Sequence, residues 1–573
     1  MLYNSRLKEI LLKEKILSKK NIEILSNEAK KNKINLTSFL IKKNIVTEER
    51  LYKTISKYFK LPIIELKNKN IRKDILYLIP EPIATSHRII AFDKKENILK
   101  IAVLNPDDIQ TFEFITKKTG LEIDIYITIP SQIEEALKQY KLSLKAEFKK
   151  ITEKPIGDHD EKKLKELAKD LPIVRIVDSL LEHAIFERAS DIHIEPTEKE
   201  VSVRYRVDGI LRKVMTLPKN VHPGIVARIK ILSNLKLDEH RMPQDGRFKI
   251  ETKEYRISIR ISIMPMFDGE KIVMRLLNET GAALTLEQLG FLPETLKIVQ
   301  RNIKKPHGII LVTGPTGSGK TTTLYSIVSI LNKPEVNIST VEDPVEYKME
   351  GINQSQVNPK IEYTFAKGLR ALLRQDPNII MVGEIRDGET AEIAVNAALT
   401  GHLVLSTLHT NDAATTLPRL GDMGIPPFLI AFTANMIVAQ RLVRKLCSDC
   451  KEDYKLDKKT VTEIMQVYNI PDILKSLKDL KIIKAKENLS SITFYKPVGC
   501  GKCENTGYKS RQGIYEVMEI KENIKKLILD KGNATQIAEE AKKSGMITLT
   551  MDGFIKAIQG ITSMEEVMRV TKE

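Results

Sequence analysis

The run Gly314-Pro315-Thr316-Gly317-Ser318-Gly319-Lys320-Thr321 spaces its glycines, one lysine and one hydroxyl as a phosphate cradle requires. Glycines let backbone N–H groups turn inward around an anion, and a following helix N-terminus adds partial positive charge. Lys320 is placed to reach β- and γ-phosphates, and the Thr321 hydroxyl to ligate Mg²⁺. A chance occurrence of this spacing would lack the right flanks. Here the apolar run Ile309 to Val312 precedes the loop, and Leu324, Ile327, Val328 and Leu331 follow at helical spacing. A strand, a glycine loop and a helix are therefore expected, and with them nucleotide binding.

Hydrolysis needs a Mg²⁺-supporting carboxylate, a group that orients water, and cations for the transition state. Ile379 to Val382 reads as a buried strand ending in Gly383-Glu384-Ile385-Arg386-Asp387. Glu384 then sits at the strand's C-terminal edge, where the metal-supporting acid is expected. Glu in place of the usual Asp favours contact with the metal through water. A second acidic cluster, Glu342-Asp343-Pro344-Val345-Glu346, ends the run Ile338 to Val341. Glu342 is the candidate to orient or deprotonate water, the alternative being a turn-forming acid ahead of Pro344. His402 and His409 bracket Leu403 to Ser406. His409 could sense the γ-phosphate there, or serve as a satisfied structural histidine.

The four cysteines form two pairs, Cys447-x-x-Cys450 and Cys500-x-x-Cys503. Two such knuckles place four thiolates tetrahedrally around Zn²⁺. The long gap between them suggests an inserted segment that loops out from the site. Disulfides would need an oxidising compartment, and a redox pair would be single and beside a βαβ unit. Four ligands close the site, so it is read as structural and not catalytic.

The elements that must hold these residues fall into five stretches. In 1–145, Leu7, Ile10, Leu11, Ile16, Leu17, Ser18 and Ile22 are matched by Leu36, Phe39, Leu40, Ile45, Val46, Thr47 and Leu51. This repeat predicts two helix–turn–helix halves, followed by strands at Ile89 to Val103 and Ile123 to Ile129 in a small α/β unit. Residues 146–170 read as a charged linker. In 171–286 an amphipathic helix begins with Ile173, Val174 and Val177. Val201 to Val207 and Tyr255 to Ile261 then alternate apolar residues with Arg204, Arg206, Arg256 and Arg260, hiding one face and displaying arginines on the other. The stretch 287–446 alternates strands and helices, as a parallel sheet does. Residues 447–573 carry the cysteines and a helical tail, with a charged segment, 457–486, of little pattern. The most apolar run, Pro427 to Val438, reads as a buried helix.

The boxes GPTGSGKT, STVEDPVEY, GEIRD and TGHLVLSTLHTNDA occur in order and at natural distances. They resemble the secretion-superfamily ATPases that drive type II secretion and type IV pilus assembly. Upstream, ASDIHIEP, RYRVDG, MPQDGR and the run from Met264 to Arg275 are similar to that family's second N-terminal domain, and the four cysteines match the zinc module of its secretion and pilus-extension members. The resemblance is specific from about Leu171 to the C-terminus and weaker before it. It implies an α/β chain with a RecA-like P-loop core, a preceding PAS-like α/β domain, a small N-terminal helical and α/β domain, and a tetracysteine zinc module. It further implies a homohexameric motor that hydrolyses ATP with Mg²⁺ and works on an inner-membrane platform protein at the cytoplasmic face. Carried over by motif, Arg247 of QDGR and Arg260 reach the nucleotide phosphates. Arg204, Arg206, Arg370, Arg374 and Arg441 are candidates for subunit coupling. Pilus-assembly relatives often carry glycine-marked paired motifs for cyclic di-GMP at the N-terminus. The repeat at Arg6 to Leu11 and Asn35 to Leu40 lacks those glycines, so a docking domain is expected there.

The net charge of +17 could favour nucleic acid or an anionic membrane surface. Its lysines are spread along the chain with no basic stripe or interleaved aromatics, which argues against nucleic acid and for a broad composition bias. No apolar run has the length of a membrane span, and charges from Arg6 onward leave no secretory h-region, so a cytosolic protein is expected. A nucleic-acid translocating ATPase of the same superfamily and an ATP-binding scaffold are the two other readings.

Overall fold

The computed structural model describes residues 4–31, 36–67, 69–140, 165–166, 168–251, 256–278, 283–500, 503 and 505–572. The expected linker lies almost wholly outside the described residues. The chain divides into two compact units, Met1–Asn278 and Glu279–Glu573.

The first unit opens with helices Asn4–Lys13, Lys19–Lys31, Leu36–Lys42 and Glu48–Phe59. The sequence repeat is therefore a repeat of helix pairs, and Leu7, Ile10 and Leu11 share one core with Leu36, Phe39 and Leu40. The Thr47 hydroxyl accepts from Arg50 N and caps the fourth helix. Strands β1 (Ile89–Lys95), β2 (Ile98–Val103) and β3 (Glu122–Ile127) form a small sheet over the same core.

Helix Leu171–Phe186 then buries Ile173, Val177, Leu180, Leu181 and Ala184 against a six-stranded sheet. Its strands are β4 (Asp191–Pro196), β5 (Glu200–Val207), β6 (Ile210–Pro218), β7 (Gln244–Glu251), β8 (Arg256–Met266) and β9 (Gly269–Asn278). They run in the order β6-β5-β4-β9-β8-β7, every neighbour antiparallel. Along β5 and β8 the buried residues Val201, Val203, Tyr205, Ile257, Ile259 and Ile261 alternate with the arginines, the pattern of a sheet with one covered face.

In the second unit β10 (Gly308–Thr313), β11 (Ile338–Glu342), β12 (Asn353–Gln356), β13 (Ile379–Val382), β14 (Leu403–Leu408), β15 (Ala434–Leu446) and β18 (Tyr508–Glu519) form one sheet, ordered β12-β11-β13-β14-β10-β15-β18. The pairs are parallel except β15–β18. Every residue of β10, β11, β13 and β14 is buried. Ile309 and Leu311 face one core, and Ile310 and Val312 the other, which is why these strands read as unbroken apolar runs. Strands β16 (Glu452–Lys455) and β17 (Thr493–Lys496) pair separately as a hairpin.

Three features depart from the sequence expectations. The apolar run Pro427 to Val438 is helical only over Pro427–Thr433 and continues as β15. Its β-branched Ile437 and Val438 find ladders on β10 and β18, and that pairing outweighs local helix propensity. The tail is not all helical, because Tyr508–Glu519 returns as the last strand of the sheet. The segment between the cysteine pairs does not loop out. Helices Lys458–Val467 and Ile470–Asp479 pack Ile464, Ile470, Ile473 and Leu477 into a core with Phe494, Phe554 and Val567.

Candidate functional site

The glycine loop joins β10 to helix Lys320–Leu331. Gly319 opens the helix at φ 92°, a left-handed conformation that favours glycine. At Gly314 a Cβ would lie 2.6 Å from the Gln440 carbonyl oxygen, so no side chain fits. Lys320 Nζ donates to the carbonyl oxygens of Gly314 at 2.8 Å and Pro315 at 3.2 Å. Burial lowers the Lys320 pKa, Glu384 opposes that shift and Arg441 adds to it. The three charges therefore share one neighbourhood.

Register brings the strand ends level. Thr313 stands beside Leu408, Val382 beside Ser406, and Val341 beside Val382. The residues that follow emerge together at the C-terminal edge, where an open α/β sheet binds ligands. Glu384 accepts from Arg386 Nη2 at 2.6 Å, and its other oxygen lies 3.3 Å from His409 Nε2. Arg441 Nη2 donates to Asn411 Oδ1 at 3.3 Å, just past His409. The structure thus gathers Lys320, Glu384, His409 and Arg441.

Glu342 is held differently. It is 3% exposed, and its Oε1 accepts from Thr340 Oγ1 at 2.6 Å and Gln354 Nε2 at 3.2 Å. Oε2 accepts from the Tyr325 hydroxyl on the loop's own helix. Burial raises its pKa, and the Thr340, Tyr325 and Gln354 hydrogen bonds only partly counter this. Tyr325 and Gln354 are site residues that the sequence patterns did not single out, since an isolated Tyr or Gln carries no motif.

The arginines of the first unit form a row. Arg206 pairs across to Asp191, Asp191 to Arg275, Arg275 to Arg260, and Arg260 to Arg247, in register over β5, β4, β9, β8 and β7. Asp191 bonds Arg275 Nε at 3.1 Å and approaches Arg206 Nε at 3.4 Å. Like charges directly opposite each other are destabilising in a sheet. The row therefore sets Arg275, Arg260 and Arg247 opposite one another, with Asp191 answering the charge at its Arg275 and Arg206 end. Arg275, which closes the run from Met264, stands between Arg260 and Asp191 in this row and carries no motif of its own in the sequence. Arg204 is engaged elsewhere, its guanidinium 2.8 Å from both Glu195 oxygens. Arg370 pairs with Glu389 at 2.7 Å, and Arg374 Nη1 donates to the Arg370 carbonyl.

The Sγ atoms of Cys447, Cys450, Cys500 and Cys503 all lie within 4.8 Å of one another. Cys447 and Cys500 are 3.8 Å apart, and Cys450 and Cys503 3.7 Å. A tetrahedron with Zn–S bonds of about 2.3 Å has sulfur–sulfur edges of about 3.8 Å, so the four thiols fit zinc. Backbone N–H groups of Cys500 and Gly507 donate to Cys503 Sγ at 3.1 and 3.2 Å.

A mostly parallel sheet with a glycine loop at one strand end and acids at its neighbours defines a P-loop nucleotide hydrolase. Residues 166–569 match the family described as Type II/IV secretion system protein, and residues 59–147 match the MshEN domain. The Type IV pilus assembly ATPase PilB of Myxococcus xanthus is 39% identical over 578 residues, covering 99% of this chain and 98% of that protein. The Type II secretion system ATPase E of Vibrio cholerae is 47% identical over 404 residues, covering 70% and 76%. The Yersinia pseudotuberculosis ATPase DotB shares the fold, with TM-score 0.50, 21% identity and coverage of 73% and 95%. The chain belongs to the type II/IV secretion system protein family and is an ATPase whose nucleotide is ATP. Among the described residues no helix is long and apolar enough to cross a membrane.

Proposed function

We propose that this chain is a homohexameric motor that extends a type IV pilus, working at the cytoplasmic face of the inner membrane on a platform protein. The observation that carries this reading is the near full-length match to a type IV pilus assembly ATPase, against partial coverage by the type II secretion ATPase. Pseudopilus assembly for type II secretion is the second reading, favoured by the higher identity over the shared 404 residues.

In the proposed chemistry residues 314–321 bind the ATP phosphates, with Thr321 and, through water, Glu384 supporting Mg²⁺. Glu342 activates the attacking water, and His409 reads the γ-phosphate through its contact with Glu384. Arg247 and Arg260, extended by Arg275, supply cations to the phosphates. Cys447, Cys450, Cys500 and Cys503 hold structural zinc. The domain plan is 1–145 for docking, 146–170 as linker, 171–286 bearing the arginines, 287–446 as ATPase core, and 447–573 as zinc module and C-terminal helices.

Two experiments test the reading. Lys320→Ala is expected to abolish turnover, and a mutant that still hydrolyses ATP removes the glycine loop from the mechanism. Depletion in the native cell should abolish surface filaments while leaving export intact. Loss of export with filaments intact would make it the secretion motor, and turnover stimulated by DNA would favour a nucleic-acid translocase.

A further inference from the structure

A loop that turns its N–H groups inward points carbonyl groups the other way, and buried carbonyls need donors. Lys320 serves Gly314 and Pro315. The Ser318 carbonyl is served from outside the loop, by Gln440 Nε2 on β15 at 2.7 Å. The same carboxamide accepts through Oε1 from Thr323 Oγ1 at 2.8 Å, one turn into the helix. A carbonyl can only accept, so Ser318 fixes which way the amide faces, and the hydroxyl proton then completes the pair. Gln440 and Thr323 are each 1% exposed.

Residue 440 meets both ends of the loop. Its backbone oxygen closes the space beside Gly314, and its side chain holds Ser318 and lies 3.1 Å from the Cβ position of Gly319. Only a carboxamide of this length offers a donor and an acceptor at once. A carboxylate would set an anion against the Ser318 oxygen. A methionine would fill the space but leave the buried Ser318 carbonyl without its donor and remove the Thr323 hydroxyl's link to residue 440 on β15.

We propose that Gln440 is a positioning residue for ATP binding, whose carboxamide holds the phosphate loop in register with the first turns of its helix. The inference rests on the reading of 314–321 as the ATP site. It acts through Ser318 and Thr323 and touches no reacting atom, so its effect falls on nucleotide affinity before turnover at saturation.

The test is steady-state hydrolysis by the full chain carrying Gln440→Met, Thr323→Val or both, with thermal unfolding measured alongside. Gln440→Met should raise KM for ATP about tenfold or more, with kcat changed less than threefold and Tm within a few degrees. Thr323→Val should raise KM about threefold. The double variant should be no worse than Gln440→Met, because the two changes break one network. A wild-type KM in folded Gln440→Met, or additive effects in the double variant, overturns the proposal. If Gln440→Met does not fold, a wild-type KM in Thr323→Val does the same. Lys320→Ala separates the failures: a dead Lys320→Ala with wild-type KM in Gln440→Met removes Gln440 alone, whereas an active Lys320→Ala removes the site itself.

Discussion

His409 Nε2 lies 3.3 Å from Glu384 Oε2, joining the ends of β14 and β13 beside the lysine of the glycine loop. Arg386 holds the other Glu384 oxygen at 2.6 Å. A carboxylate oriented by a guanidinium on one oxygen and an imidazole on the other suits an outer ligand that holds a metal-bound water. Glu384→Gln keeps the shape and removes the charge. Turnover at fixed Mg²⁺ should fall about 10–100-fold, the usual cost of losing an outer-shell partner. A Mg²⁺ titration should show the half-activating concentration raised, and an unchanged titration curve would place the metal's support elsewhere.

Glu342 makes a different prediction because it is buried and its pKa is raised by burial. A general base must be ionised, so activity should be lost as pH falls through that raised value, above the ordinary 4.5 of a glutamate. Glu342→Gln should bind ATP, lose about 10²–10⁴ in kcat and lose this acidic limb. A pH–rate profile that keeps the limb in the variant would assign it to another group.

The arginine row predicts opposite signs for stability and function. Arg247 is exposed and directly opposite Arg260 on the neighbouring strand. Arg247→Gln should leave the protein unchanged or more stable by roughly 0.2–1 kcal/mol, since a like-charge pair is relieved. Turnover should fall nonetheless if the row receives phosphate. Denaturant unfolding and hydrolysis on the same sample check both signs, and a stable variant with full activity would return Arg247 to a solvated surface.

Much of this was legible because it rests on local pattern. The loop, Glu384 and the cysteines announce themselves by spacing, and β10 and β13 by apolar runs that only a doubly covered sheet needs. Residues that act through long-range pairing were not legible. Gln440 reaches Ser318 across 122 positions of sequence. Tyr325 meets Glu342 only because their helix and strand pack together, and β18 is a strand because β15 offers it an edge. The same holds for Pro427 to Val438, where local composition is compatible with helix and the sheet decides otherwise. The acidic boxes named Glu342 but not its surroundings, which determine its ionisation.

Glu566 governs an acid-stability prediction. Burial would raise its pKa, but hydrogen bonds from Arg569 and Arg444 outweigh this and hold it down to about 2. The folded pKa is depressed, so the stabilisation is present above the unfolded value of about 4.5 and is lost as pH falls from there toward 2. Glu566→Gln should therefore cost about 2 kcal/mol at pH 7 and progressively less below pH 4.5. Urea unfolding at pH 7 and pH 3.5 measures the difference, and equal costs at both would detach Glu566 from acid sensitivity.

The cysteines sit where β15 and β18 finish. Cys447 follows Leu446 directly, and its N–H donates to the Gly507 carbonyl at 2.9 Å, beside the Leu446–Tyr508 pair that ends the ladder. Four sulfurs at tetrahedral spacing would then clamp this end of the antiparallel pair, and metal removal should loosen the clamp before the core. The isolated protein should carry about one zinc per chain, and Cys450→Ser should carry little. After chelation, amides near 446–451 and 505–508 should lose hydrogen-exchange protection first. Those of β10, β13 and β14, each fully buried, should keep it. Protein that contains no zinc as isolated, or whose exchange pattern is the same with and without chelator, would remove the metal from the account and leave four thiols clustered for another reason.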